Sequence, residues 1–304
     1  MDKQTRIAYL ELSLAMIIVG SSVVIGKLVV ASFPVFLASA FRFGLGSLIL
    51  VPLLFLREGR SFSFDKRDGL ILVLQAFTGV FLFSVFLLYG LKFTNAAEAG
   101  IITSSTPAVV AIISFLFLKE KLSLNKAIGI ALAVFGILLI NVLGEPFESE
   151  RGKYALLGNV LIFGAVIGEA AFTIFPKMAS QSISPLRTAT VMSVLGLIMF
   201  APFALYEAFH FDFTQTTLFD WSLVLYFGVM VTVVAFLLWF DGVKRVMASE
   251  AAVFTSVMPV SAVILSYLIL DEPFAWAHVW GGLCVLAGIG FIVRTHTRKL
   301  AQVS

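Results

Sequence analysis

The sequence predicts an all-α membrane protein of ten transmembrane helices, arranged as two inverted five-helix repeats. Three observations carry that prediction. The chain is dominated by apolar residues: 60% are hydrophobic, 31 are Phe and only 13% are charged, where soluble domains carry roughly a quarter charged residues. It divides into ten apolar stretches of about the 20 residues that a helix needs to cross the hydrocarbon. It also matches itself: a gap-free shift of 152 positions superimposes Phe86–Ile140 on Leu238–Ile292, with 17 identities in 55 positions. Ten spans in two copies gives five spans per copy, and an odd number makes the second copy enter the membrane from the opposite side.

The spans run in order as follows. Ile7 to Val30 is too long, and too poor in a small-residue cleavage pattern, for a removable signal peptide; it carries Gly20, Ser21 and Ser22. Pro34 to Leu56 contains Arg42. Asp68 to Leu91 contains Gln75 and ends near Tyr89, and Asn95 turns the chain into Ala96 to Leu118. That fourth span has Glu98 in its first turn and Pro107 near its middle. Asn125 to Leu143 carries Gly129 and Gly136 at seven-residue spacing, a smooth face for close helix contact. Tyr154 to Met178 holds Glu169 at mid-length, and Pro185 to Tyr206 is apolar. Phe219 to Val243 contains Trp239. Ser249 to Leu270 repeats the fourth span with Glu250, Thr255, Ser256 and Pro259, and Asp271, Glu272 and Pro273 form the next turn. Ala275 to Val293 repeats the glycine face with Gly281 and Gly288. The repeats are therefore expected at 1–145 and 146–304.

Charge supplies an independent check. With the N-terminus inside, sixteen of the 21 Lys and Arg residues fall on inside segments and four on outside ends, with Arg42 inside a span. This bias places both termini in the cytoplasm and the chain in the cytoplasmic (inner) cell membrane. It also accounts for the net charge of +3 without nucleic acid. The connector 119–126 aligns with 271–278 and keeps Glu120 as Glu272 while losing every Lys, including Lys126, which becomes His278.

A charged side chain at midplane costs roughly 2.5 to 3.5 kcal/mol on insertion scales, so each one needs a cavity or a partner. Glu169, beside Gly168 and Ala170, either binds a substrate ammonium, carries a coupling proton, or pairs with a fixed partner such as Arg42. Arg42 itself is read as structural, pairing or bonding backbone carbonyls. Glu98 and Glu250 occupy one repeat position at opposite faces; they are mirror-related gates or first-turn acids that complement the helix dipole. Pro107 and Pro259 each remove a backbone hydrogen bond and kink a helix, giving hinges. Thr103, Ser104, Thr255 and Ser256 then answer the freed carbonyls or face substrate. Ser21, Ser22 and Gln75 suit a cavity wall or helix-to-helix hydrogen bonds.

Other function classes lack their signatures. His210, His278 and His296 are scattered, Cys284 is alone, and neither H-E-x-x-H nor G-x-S-x-G occurs, so no enzyme, metal or cofactor is expected. Two similar halves that exchange conformations convert an inward-open path into an outward-open one. The expected partners are a small-molecule substrate and the lipid bilayer, with proton coupling and homodimerisation left open. A scaffold or assembly factor on the same frame is the alternative.

Four motifs also carry a resemblance: Gly20-Ser21-Ser22 followed by Lys27, Phe41-Arg42-Phe43, Pro107 followed by Leu118-Lys119-Glu120, and Pro259 followed by Leu270-Asp271-Glu272. In order and spacing they resemble the drug/metabolite transporter superfamily of the EamA type. The resemblance implies a central cavity lined by spans one, three, four, six, eight and nine, with five and ten peripheral. It also implies transport of amino acids, nucleotide-like metabolites or drugs, commonly outward. Where members often carry Trp before the first-span Gly, this chain has Val19, and the repeat counterpart of that position is Glu169.

Antiparallel repeats make a direct topological prediction. Cysteines introduced singly at Asn125 and Ala277 are expected to react with an impermeant thiol reagent from opposite sides of the bilayer.

Overall fold

The computed structural model describes residues 3–59, 65–93, 102–120, 122–143, 154–180, 182–269 and 276–301. Among them every regular element is helical, and the chain forms ten rods. These are α1 (Lys3–Ser32), α2 (Val35–Glu58), α3 (66–93), α4 (Thr106–Leu118), α5 (Leu124–Leu143), α6 (Ala155–Met178), α7 (Pro185–His210), α8 (Leu218–Arg245), α9 (Ala248–Ile269) and α10 (Trp276–Ala301). Seven rods are long and apolar enough to cross a membrane outright; α4, α5 and α10 contribute shorter apolar stretches. Large apolar side chains such as Leu48, Leu56, Phe209 and Leu268 point outwards, as lipid-facing positions must. The expected division at 145/146 lies outside the described residues.

Local chemistry sets several rod ends. Thr217 and Asp220 form a capping box that starts α8, satisfying two N–H groups the first turn leaves unpaired. Ser184 accepts from the Arg187 N–H at the start of α7, with Pro185 in the first turn, where its missing N–H costs nothing. At the opposite end of the bundle from Lys3, termed the far end, Phe33, Phe41 and Trp221 pack ring to ring. Ser32 donates to Asp220, and Glu207 accepts from the Leu37 N–H at 2.7 Å. These contacts bind α1, α2, α7 and α8 together.

The packing obeys a pseudo-two-fold rule. α2 lies on α7 and α5 on α10; the contact of α3 with α6 has its counterpart in α8 with α1, and that of α4 with α6 in α9 with α1. The α5–α10 crossing brings Gly129 against Gly288 and Gly136 against Gly281. A Cβ at Gly136 would stand 2.6 Å from the Gly281 carbonyl oxygen, and one at Gly129 2.9 Å from that of Gly288. Each glycine meets the repeat counterpart of the other, as inverted copies require.

Two features depart from straight helices, and each occurs once per repeat. α3 contains a π-helical stretch, Phe77–Leu82, and α8 contains Phe227–Val234; a shift of 152 carries the first into the second. α4 and α9 are interrupted before their prolines, at Ser104–Ser105 and Thr255–Ser256. Kinks in continuous helices were expected at Pro107 and Pro259. Instead each Pro falls in the first turn of a new helical piece. The interruption is closed by tighter bonds to the third residue back, such as Ser105 N to Ile102 O at 3.1 Å and Ser256 N to Val253 O at 3.2 Å. The carbonyl of Thr103, which a residue other than Pro at 107 would have served, accepts instead from the Thr106 hydroxyl at 2.8 Å.

The glycine crossing makes a stability prediction. Gly136→Ala is expected to overpack the α5–α10 contact and cost about 1–3 kcal/mol, read as an earlier thermal transition of the purified protein in detergent. Gly290→Ala, whose new Cβ meets nothing within 4 Å, should leave that transition unchanged or slightly later.

Candidate functional site

Midway along α6, Glu169 turns towards the break in α4. Its Oε2 lies 3.0 Å from the Thr106 hydroxyl, and that hydroxyl also reaches the Thr103 carbonyl at 2.8 Å. The glutamate is half-buried and Thr106 is buried. A hydroxyl has one proton. When Thr106 gives it to the Thr103 carbonyl, Glu169 must supply a proton of its own to keep their bond; when Thr106 gives it to Glu169, the carboxylate is held charged. The site can therefore accommodate both forms of the acid with little movement. The repeat counterparts of this pair are Val19 and Met258, both packed against the apolar core, so the polar pair exists on one side of the pseudo-two-fold only.

The other expected polar residues divide between helix-to-helix ties and the two breaks. Ser21 donates to the Ile18 carbonyl at 2.6 Å and lies 2.6 Å from the Tyr226 hydroxyl, tying α1 to α8. Ser22 donates to Val19 O within its own helix. Gln75 is fully buried and donates to Phe172 O on α6 at 3.2 Å, while its Oε1 has no partner among the described residues. Thr255 donates to Ala252 O at 2.7 Å. Thr103 is half-buried and Ser104 fully buried in the first break, and Ser256 is fully buried in the second with its hydroxyl unpaired among the described residues. Gly20 brings α1 so close to α9 that a Cβ there would stand 2.6 Å from Met258 O.

Arg42 neither pairs with Glu169 nor bonds a backbone carbonyl among the described residues. Its guanidinium carbon stands 4.4 Å from the centre of the Phe43 ring and 5.7 Å from that of Phe227, and its Nε has no acceptor among the described residues.

Charge is concentrated instead at the end of the bundle where α1 begins, the near end. Glu250, in the first turn of α9, forms a buried ion pair with Lys126 of α5 at 3.0 Å and accepts from the Tyr9 hydroxyl of α1 at 3.2 Å. Lys126 is only 2% exposed and also touches Met247 Sδ at 2.7 Å. Beside this pair, Lys119 takes a left-handed conformation, φ 54°, which ends α4 and swings Glu120 onto the start of α9. The Glu120 carboxylate accepts from Ala248 N at 2.7 Å, Ser249 N at 3.1 Å and Ser249 Oγ at 2.6 Å. It caps a helix that has no side-chain cap of its own and complements the positive end of its dipole. Both contacts join the first repeat to the second. Glu98, the repeat counterpart of Glu250, lies outside the described residues.

A polar cavity of about 590 Å³ opens at the near-end surface between Asp65, Arg67, Asp68, Ser180, Ser182 and Arg187. It is separate from the residues at mid-depth, and Ser180 N donates into it to Asp68 at 3.0 Å. Reasoning from sequence missed Thr106, Tyr9, Tyr226 and the role of Lys126. For Lys126 a signal was visible, because its repeat counterpart His278 is also basic.

Comparison with known proteins agrees with this architecture. The model of the EamA-like transporter family matches residues 6–142 and again 156–294. The chain is 50% identical over 282 residues to a Bacillus subtilis protein called uncharacterized transporter YetK, covering 93% of this chain and 85% of that one. It is 24% identical to the B. subtilis uncharacterized transporter YyaM, covering 90% and 89%. A solved crystal structure superposes with a TM-score of 0.78 over 94% of this chain and 98% of the other at 17% identity, a likeness of fold.

The buried pair makes a prediction for stability. Lys126→Met alone is expected to strand the Glu250 charge and destabilise the protein by about 3–5 kcal/mol, whereas Lys126→Met with Glu250→Leu should recover most of that loss. Thermal unfolding of the two variants side by side measures the difference.

Proposed function

We propose, since this chain belongs to the EamA-like transporter family, that it exports amino acids or related small metabolites by alternating access between its two inverted repeats. Family membership makes it a multi-pass membrane transporter of small molecules; the substrate class and the mechanism are our reading. The observation that carries it is the near-end latch. Lys126, Tyr9 and Glu120 of the first repeat hold Glu250 and the α9 start of the second, so the path is shut at that end by contacts between the units that must move apart.

The basic bias supports a cytoplasmic near end in a cell-membrane protein. The interruptions in α4 and α9, and the π-helical stretches in α3 and α8, occupy equivalent positions in the two units. Such devices mark functional segments, where backbone bonds are already loosened, and they suit hinges for opposite rocking of the repeats. The two units are taken as 1–145 and 146–304.

Glu169 is assigned as the residue that meets a substrate ammonium or carries a coupled proton. Its single hydroxyl partner serves the charged and the neutral carboxyl alike, whereas Glu250 is fixed by an ion pair. A carboxyl kept half-buried at mid-depth, with no cation opposite it among the described residues, is costly in a scaffold; that favours transport over an assembly role.

In proteoliposomes loaded with a mixture of labelled L-amino acids, the wild-type protein should release label faster than empty liposomes, and Glu169→Gln should slow that release at least about tenfold, the loss of one charged contact. Release by Glu169→Gln at the wild-type rate would remove the assignment. Repeating the assay with and without an imposed proton gradient tests coupling.

A further inference from the structure

Arg42 carries a positive charge into the bundle and meets no negative one among the described residues. It sits two turns into α2, about 10 Å along the axis from Val35, and Phe227 lies about 13 Å into α8 from Leu218, at 1.5 Å per residue. The two side chains therefore meet at a similar depth, next to the ring cluster of Phe33, Phe41 and Trp221. The guanidinium stays protonated at neutral pH. Its Phe43 and Phe227 neighbours stabilise the cation through the faces of their rings, but they accept no conventional hydrogen bond from its N–H groups.

No hydrogen bond or ion pair reaches the Arg42 side chain among the described residues, and its buried Nε is unpaired there. Five N–H donors in one plane are thus left without an acceptor among the described residues. Arg42 is nevertheless half-buried rather than sealed, so part of it remains accessible.

We propose that Arg42, which reaches from α2, outside the expected cavity lining, to Phe227 of the lining span α8, is an anion-binding residue for the transported substrate and that the substrates carry a carboxylate, gripped by the in-plane fork of the guanidinium. Aromatic faces orient the plane, and the free N–H edge matches a carboxylate with two parallel hydrogen bonds. A guanidinium carries a single positive charge, so a monoanion balances it, while a phosphate dianion would keep a charge that Arg42 alone does not compensate. This assignment rests on the transport reading and narrows it: the substrate brings its own counter-charge to Arg42, and an ester or amine of the same shape does not.

The full-length protein in detergent tests binding by its melting temperature, with an equimolar pool of L-amino acids, the same pool as methyl esters, and sodium chloride or sodium phosphate at equal ionic strength. The acid pool is expected to raise the transition of the wild type, and the esters and inorganic salts are not. Arg42→Gln should abolish the rise. Arg42→Lys, which keeps the charge without the fork, should weaken apparent affinity roughly tenfold and serves as the decisive variant if Arg42→Gln does not fold. No rise with the acids, an equal rise with esters, chloride or phosphate, or unchanged affinity in Arg42→Lys overturns the proposal. Efflux of the two pools from proteoliposomes separates it from the transport reading. Equal export of acids and esters, unaffected by Arg42→Gln, defeats the carboxylate assignment and leaves transport standing; an Arg42-dependent rise with no export of either pool supports the site and defeats transport.

Discussion

A charge inside a bilayer has no water to answer it, and the way each one is answered here decides what the surrounding helices can do. Glu250 is answered twice over, by the Lys126 ammonium and the Tyr9 hydroxyl. Glu120 is answered by three donors at the start of α9. These are closed accounts of charge: every partner belongs to the protein, and removing one leaves the other desolvated. Glu169 has one hydroxyl, and Arg42 has only ring faces. The near end is therefore fixed by the protein's own pairs, while the acid and base farther in keep unused bonding capacity.

The inverted duplication explains why the same devices recur and where they have diverged. Backbone features survived in both copies: the π-helical stretches of α3 and α8, the interruptions ahead of Pro107 and Pro259, and the reciprocal glycine contacts of α5 and α10. Each depends on main-chain geometry that neighbouring helices have packed around, so its loss would disturb the whole bundle. Side-chain chemistry diverged more freely. Thr106 and Glu169 correspond to Met258 and Val19, and Lys126 corresponds to His278. A symmetric frame thus carries an asymmetric polar path, with a lysine at the near-end latch and a histidine at its counterpart.

Much of the architecture was legible in the sequence. The ten apolar stretches became ten rods, because hydrocarbon admits only segments that satisfy their own backbone. The seven-residue glycine spacing forecast a close helix contact, since small residues at that period leave a smooth face; that the partners are α5 and α10 came from the structure. The prolines forecast disturbed helices, although they fall after the breaks rather than at kinks. The orphaned Thr103 carbonyl was expected to find a hydroxyl, but that hydroxyl is on Thr106, because only the residue preceding the proline sits over it once the turn tightens.

Composition, span length and self-similarity by themselves determined the fold class and the inverted repeats, because each follows from what a bilayer excludes and from arithmetic on odd spans; the family rested on the resemblance of four short motifs. Which charges pair was decided only in three dimensions. Lys126 and Glu250 are 124 positions apart and Tyr9 and Glu250 are 241, and no periodicity within one helix records a partner on another. The same holds for Arg42, whose lack of a carboxylate appeared only once the helices around it were assembled: an ion pair is a property of the distance between side chains, and packing alone sets that distance.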